Sequence, residues 1–544
     1  MNRNLFRRRG AQRSVPAADT RNAAGGRAYS LENEAALAQY AVTGTFHDTF
    51  YVGADDHLKK VTELAERCQS VFLAKLAVYS RQQARMKDMP AYLLAILVAR
   101  GETELVKTIF DDVCDNSKML FAFVRIIRSG VTGRTSFGTA IKRLIQNWLL
   151  ERGEMHLFNS SIGHSDPSMS DVIKMVHPRP QNEYQSEMFK YLLGRDCDLE
   201  KLPYEIRLFE DLKRGELGEN TPMPSVPFRA LTNCNLTQKQ WCEIGVNMPW
   251  NTLRQSLVLL GRRGVYDRKW VVNSIAEKLA DPDEVRKCNA FPFELLATWK
   301  ATKNEVPVEI SNAIQAAMET ATENVPKFQG ETLIAVDVSG SMCMSPITGR
   351  SAKPSIVKVV EGAALIACAL LRQNRAAEII GFDSMEYPSR HTDGVQFAPG
   401  IYQMTHVNPF DSVMTNVEKV NQNGGGTDCS LPFKYLNQRS LSVNNVVVLS
   451  DYESWAGRNY GFSGCASCND WKQYSSRHRG AKLACVDLQP QNTTQVPDQP
   501  GRVINVGGWN DQMFNVLAGF FNRGEKTNFV DYINRVELSS TGRK

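Results

Sequence analysis

Leu333-Ile334-Ala335-Val336-Asp337-Val338-Ser339-Gly340-Ser341-Met342 decides how this chain is read. An apolar run of strand type ends in an acid, and two hydroxyls follow at every second position. Side chains on an extended segment alternate, so Asp337, Ser339 and Ser341 are expected to turn toward one point past the strand's end. A carboxylate and two hydroxyls are hard oxygen donors of the kind that hold Mg²⁺ while leaving it partly hydrated. Two later stretches supply partners: Gly424-Gly425-Gly426-Thr427-Asp428 puts a hydroxyl on a glycine-rich loop, and Val446-Val447-Val448-Leu449-Ser450-Asp451 is a second apolar strand ending in an acid.

The ordered set Asp337, Ser339, Ser341, Thr427 and Asp451 resembles the metal-ion-dependent adhesion site of von Willebrand A domains. That resemblance implies ligand binding through a divalent ion with an open position, Mg²⁺ first and Mn²⁺ or Ca²⁺ as alternatives. The set contains no general base or nucleophile, so no catalytic residue is assigned. Around it, Ile356–Leu371 reads as a helix, Ala377–Phe382 as a strand, 410–421 as a helix, and 445–450, 481–486 and 502–506 as strands before a last helix at 511–522. Alternation of this kind predicts a doubly wound, Rossmann-like sheet with its site at the strands' carboxyl ends.

Upstream the pattern changes. From Leu31 to Lys303 apolar residues recur at helical spacing, as in Val61–Cys68, Phe72–Tyr79 and Ala91–Ala99, joined by short polar links. Paired short helices predict an α-solenoid of HEAT or armadillo type. Three parts are therefore expected: a flexible basic arm at 1–30, a helical-repeat domain at 31–325 and an A-type domain at 326–544.

The net charge of +6 is informative once divided. Residues 1–30 hold seven Arg and one Asp, whereas 31–325 are slightly acidic, with 36 Lys and Arg against 38 Asp and Glu. A nucleic-acid site in the helical part must therefore be a local patch. No apolar run approaches the ~20 residues that span a bilayer, and no signal-peptide core is evident. Twelve scattered cysteines suggest reduced thiols in a cytoplasmic setting. Cys465-Ala466-Ser467-Cys468 has half the spacing of a zinc ribbon; with no second pair following, it reads as a loop.

The whole chain, from about residue 20 onward, resembles the Ro autoantigen family, in which a helical TROVE ring is closed by an A domain. Gly425-Gly426-Thr427-Asp428-Cys429-Ser430-Leu431-Pro432 is similar to that family's metal loop, and Ala290-Phe291-Pro292-Phe293-Glu294-Leu295-Leu296 to the segment before its A domain. Leu231-Thr232-Asn233, Trp241, Met248-Pro249 and Asp171–Pro180 resemble its ring helices. The resemblance implies a non-catalytic, monomeric ring that binds small structured Y-like RNA outside and takes the 3′ ends of misfolded or damaged non-coding RNA through its hole. Bacterial relatives are associated with an exoribonuclease, polynucleotide phosphorylase. The short N-terminus suggests a bacterial or phage-type member.

Candidate RNA contacts are Arg125, Arg128, Arg134, Lys142 and Arg143 on successive helices, with His164, Lys174 and His177 where the family's outer site lies. One departure is visible. Met169 stands where relatives begin that helix with an RNA-contacting His, and 158–168 lacks the expected basic residues. A second class of function, a metal-dependent protein scaffold with RNA incidental, is also open. A nuclease is disfavoured because no acidic cluster of two-metal type is present.

Overall fold

The computed structural model describes residues 15–538 apart from 44–45, 47, 50, 164, 219–220, 289, 291, 324, 349–353, 386–394, 421–423, 457–463, 510 and 525. The chain enters as two short strands, β1 (Thr20–Arg21) and β2 (Arg27–Ser30), paired antiparallel. Residues 1–14 of the expected basic arm lie outside the described residues, but its second half is not loose. Asn22 donates to the carbonyls of Tyr452 and Ser454 (3.4 and 3.0 Å), and Tyr29 is buried with its hydroxyl donating to Pro16. A methyl group at Gly26 would lie 1.9 Å from the Ser454 oxygen, so only glycine lets the strap lie this close.

Helices follow to Ala321. Their ends are set locally. Asn116 caps Ser117–Ser129 by accepting from Met119 N at 3.2 Å, and Gly130 ends that helix at φ 74°. Ser168 and Asp171 form a reciprocal capping box at the start of Met169–Val176. Two buried tryptophans join neighbouring helices with their indole nitrogens paired. Trp148 donates to the Cys114 carbonyl at 2.6 Å and Trp250 to that of Leu279 at 3.2 Å.

The C-terminal domain carries β3 (Thr332–Asp337), the hairpin β4 (Pro346–Thr348) and β5 (Pro354–Lys358), β6 (Glu378–Phe382), β7 (Val395–Ala398), β8 (Ile401–Gln403), β9 (Asn445–Ser450), β10 (Lys482–Asp487), β11 (Thr493–Thr494) and β12 (Val503–Gly507). The main sheet runs β12-β10-β9-β3-β6-β8-β7, with β8 alone running against the others, while β11 joins β2 of the strap. The predicted strands at 377–382, 445–450, 481–486 and 502–506 are present, whereas the start of the helix expected from Ile356 is strand β5, with the helix beginning at Val359. The strand period of two is visible in the packing. Leu333, Ala335, Val446 and Val448 face one core, under the helices Leu431–Arg439 and Ala466–Arg477. Ile334, Val336, Val447 and Leu449 face the other, which runs without a break into the core of the helical region.

Both ends of the helical path rest on this domain. Asn33–Thr43 packs on β12, and the late helix Phe529–Asn534 packs back on Ser70–Gln82, with Tyr79 and Phe529 ring centres 6.0 Å apart. At the other end Lys300 pairs with Glu361 at 2.7 Å and Arg372 with Glu319 at 3.0 Å. The helices thus close into a ring through the C-terminal domain. Among the described residues no helix is long and apolar enough to cross a membrane, and all twelve cysteines are free thiols. The segment expected as a loop at 465–468 instead starts a helix. Cys465 is its N-cap, and the turn is stabilised by burial beneath the strap, where the Cys465 thiol donates to the Arg27 carbonyl.

Candidate metal centre and basic surfaces

β3 and β9 are neighbouring parallel strands, and the chain order reverses between them, which places the strand ends Asp337 and Asp451 in the crevice where such sheets bind ligands. Asp337 accepts from Ser339 N at 2.9 Å and from the Ser450 hydroxyl at 2.5 Å. Asp451 accepts from Glu453 N at 3.1 Å, and the Ser341 hydroxyl faces it. The glycine loop is wedged against this turn: Gly340 N donates to Gly425 O at 2.7 Å and Gly424 N to Val338 O at 3.0 Å. A Cβ at Gly425 would meet Met385 at 2.5 Å, so the loop's approach requires glycine there. Asp337, Ser339, Ser341 and Asp451 thus meet at one buried point, and Thr427 is buried on the glycine loop wedged against it.

Those donors suit a hard divalent ion. The Oγ atoms of Ser339 and Ser341 are 3.3 Å apart, close to the roughly 3 Å that separates adjacent oxygens around an octahedral Mg²⁺ with bonds of about 2.1 Å. Thr427 Oγ1 and Asp451 Oδ2 are buried with no hydrogen-bond partner among the described residues. Buried oxygens left in that condition are costly unless something binds them. Two carboxylates with three hydroxyls would hold such an ion with charge balance, and it would supply a Lewis-acidic point for an oxygen ligand. Among the described residues there is no group of three or more His, Cys, Asp and Glu side chains placed to hold a metal, so the hydroxyls are needed to complete this set.

Burial, reinforced by Asp451 alongside, pushes the Asp337 carboxyl up to about 7, and burial raises Asp451 as well. Glu453, next along, is raised to about 8 by burial and by Asp451; it accepts from Ala24 N of the strap at 2.8 Å. An acid whose pKa is higher folded than free, here from 3.8, favours the folded state while protonated, and that contribution is lost as pH rises through about 7. A metal ion must displace the proton. We therefore expect Mn²⁺ affinity, measured by titration calorimetry, to climb with pH between about 6 and 7, by up to about tenfold per unit where one proton is released, and to level off above. A flat profile would mean that no proton is displaced from this pair.

Of the expected RNA contacts, Arg125, Arg128, Arg143, Lys174 and His177 are exposed and Lys142 is half-buried. The helices that carry them adjoin. Gln146 donates to the carbonyls of Val176 and His177, and the charges of Lys174 and Arg128 both act on Asp171. Arg128 and Lys174 are thereby near one another, with His177 beside the helix that carries Lys142 and Arg143. Arg134 differs: its guanidinium donates to the carbonyls of Val98, Ser136 and Phe137 (3.0, 2.7 and 3.1 Å), so it braces a turn. His164 lies outside the described residues. Met169 is buried in the core.

A second basic surface lies between the two ends of the helical region. A cavity of about 450 Å³ is lined by Arg81, Lys87, Lys118, Asn251, Arg254 and Glu294. It is contiguous, through Arg254 and Glu294, with one of about 580 Å³ that reaches Ser355 and Ile356 of β5. Arg81 is held by Asp115 at 2.9 Å, and Arg254 by the Thr298 hydroxyl at 2.8 Å and Glu294 at 3.3 Å. The capped start of Ser117–Ser129 also opens here. With Arg81 set against Asp115 and Arg254 against Glu294, Lys87 and Lys118 give this cavity wall its excess of positive charge, although the domain as a whole is slightly acidic. The run Arg81-Gln82-Gln83-Ala84-Arg85-Met86-Lys87 was the available sequence signal, but only ring closure brings it opposite residues 251–294.

Comparison with known proteins matches residues 331–521 to the family described as the Ro60 vWA domain. RNA-binding protein RO60 of Deinococcus radiodurans is 25% identical over 93% of this chain and 95% of its own length. RNA-binding protein RO60 of Caenorhabditis elegans is 22% identical over 51% of this chain and 40% of its own. The crystal structure of the Deinococcus radiodurans RO (RSR) protein superposes with a TM-score of 0.61 at 20% identity, covering 90% of this chain and all of that one.

Proposed function

We propose that this chain, which matches the Ro60 vWA domain at 331–521 and is similar over 93% of its length to an RNA-binding protein RO60, is an RNA-binding ring of the Ro kind that takes single-stranded 3′ ends into its basic-lined cavity. The observation that carries the reading is the cavity lined by Arg81, Lys87, Lys118 and Arg254. A positive groove enclosed by helices suits a phosphate backbone, and it accepts many sequences because it contacts charge rather than base edges. Recruits of this kind are misfolded or damaged non-coding RNAs with a free tail. The outer face around Arg125, Arg128, Lys142, Arg143, Lys174 and His177 is the proposed landing surface for structured, Y-like RNA, read by shape. An exoribonuclease such as polynucleotide phosphorylase is the proposed partner for trimming.

The buried five-donor site is proposed to hold Mg²⁺. A second reading, in which the chain is a metal-dependent protein scaffold, draws on that same site and on Trp455, which is exposed beside it. Dependence of affinity on a free 3′ tail separates the two readings. One duplex, with and without a single-stranded tail, is the pair of probes.

A further inference from the structure

The metal centre of the C-terminal domain is touched by the other half of the molecule. Tyr51 belongs to the connection between the helices Asn33–Thr43 and Ala54–Arg67, at the very start of the helical region. Its hydroxyl shares a hydrogen bond with Ser341, and it lies within electrostatic reach of Asp451, Glu453 and Asp337.

The connection is pinned in that position. Ala54 N donates to Asp48 Oδ1 at 2.8 Å, and Val52 N donates to the Thr49 hydroxyl at 3.2 Å. Thr49 accepts from Gln491 Nε2 of the C-terminal domain at 3.4 Å. Thr43, Thr49 and His57 fit against Ile347, Leu488 and Trp509 around a space of only about 10 Å³, too small to leave play. Tyr51 is therefore aimed at the site by a close-packed interface.

We propose that the Tyr51 hydroxyl fills the coordination position that Asp337, Ser339, Ser341, Thr427 and Asp451 leave open on the bound divalent ion, so that the ion clasps the start of the helical region to the C-terminal domain. This rests on the metal reading above. Adjacent ligand oxygens around such an ion stand at about hydrogen-bond distance from each other. An oxygen bonded to Ser341 is thus one ligand spacing from a ligand. Two carboxylates already balance a divalent charge, so a neutral phenol completes the set without adding repulsion. The site then serves as an internal fastener of the ring, and an outside carboxylate must displace Tyr51 to bind.

The experiment compares the full chain with Tyr51→Phe, which keeps the ring and removes only the oxygen. Mn²⁺ affinity is measured by calorimetry, and hydrogen exchange of the 51–60 amides is followed with and without Mg²⁺. The expected result is about tenfold weaker Mn²⁺ binding by the variant, with Mg²⁺ protecting the 51–60 amides in the wild type but not in Tyr51→Phe. Equal Mn²⁺ affinity in the two proteins, or no Mg²⁺ protection in the wild type, overturns the clasp and leaves the metal reading standing. Failure of the wild type to bind Mn²⁺ at all overturns the metal reading, and the clasp with it.

Discussion

Alanine at Arg81, Lys87 and Lys118 together is expected to weaken binding of a tailed RNA by roughly 10- to 100-fold at physiological salt, and to lower the slope of log affinity against log salt by about 2. The slope is the sharper readout. Each phosphate neutralised on a single strand contributes about 0.7 to it through released counterions, so three lost contacts account for the change. The three residues come from two separate segments, at 81–87 and at 118, and share only the cavity wall. Arg254 is left in place because it is buried and holds Glu294 and Thr298, so its removal would confound folding with binding. Fluorescence anisotropy across salt measures both quantities. An unchanged slope would remove the cavity from the RNA path.

Asp337→Ala is expected to weaken Mn²⁺ binding more than about 100-fold while leaving RNA affinity within about twofold. The site has two carboxylates for a divalent charge, so losing one removes half of its compensation. The metal-free variant should be no less stable than the parent near pH 8, and this sign is diagnostic. In the parent, Asp337 and Asp451 are buried side by side, and burial raises both carboxyls. Deleting one relieves that repulsion, although Ser450 loses an acceptor. Calorimetry with Mn²⁺, chemical denaturation with and without Mg²⁺, and anisotropy with the tailed RNA read the three outcomes. Equal loss of metal and RNA binding would make the ion a structural requirement for the RNA site.

The centre around Asp337 was legible because its chemistry is local. A strand's period of two fixes where Asp337, Ser339 and Ser341 turn, and parallel neighbours bring a second strand-terminal acid to the same edge. The alternation of strands and helices likewise fixed the sheet, apart from short pieces such as β7, β8 and β11, whose two to four residues carry too little pattern. What sequence could not supply were contacts made across the closed ring. The strap at 20–30 is ordered by partners more than 400 residues away, and its arginines looked like those of a solvated arm. Tyr51 sits in a connection with no motif. Arg134 looked like an RNA contact because its charge was visible, whereas the three carbonyls that occupy it were not.

The measurement that bears most directly on the central claim is binding of one labelled duplex with and without a single-stranded 3′ tail, titrated across salt. The account predicts that the tailed RNA binds markedly more tightly, with a steep salt slope that flattens in the Arg81, Lys87 and Lys118 alanine variant. Equal affinity for the tailed and blunt duplexes would contradict it, and would move the function to the metal centre and a protein partner.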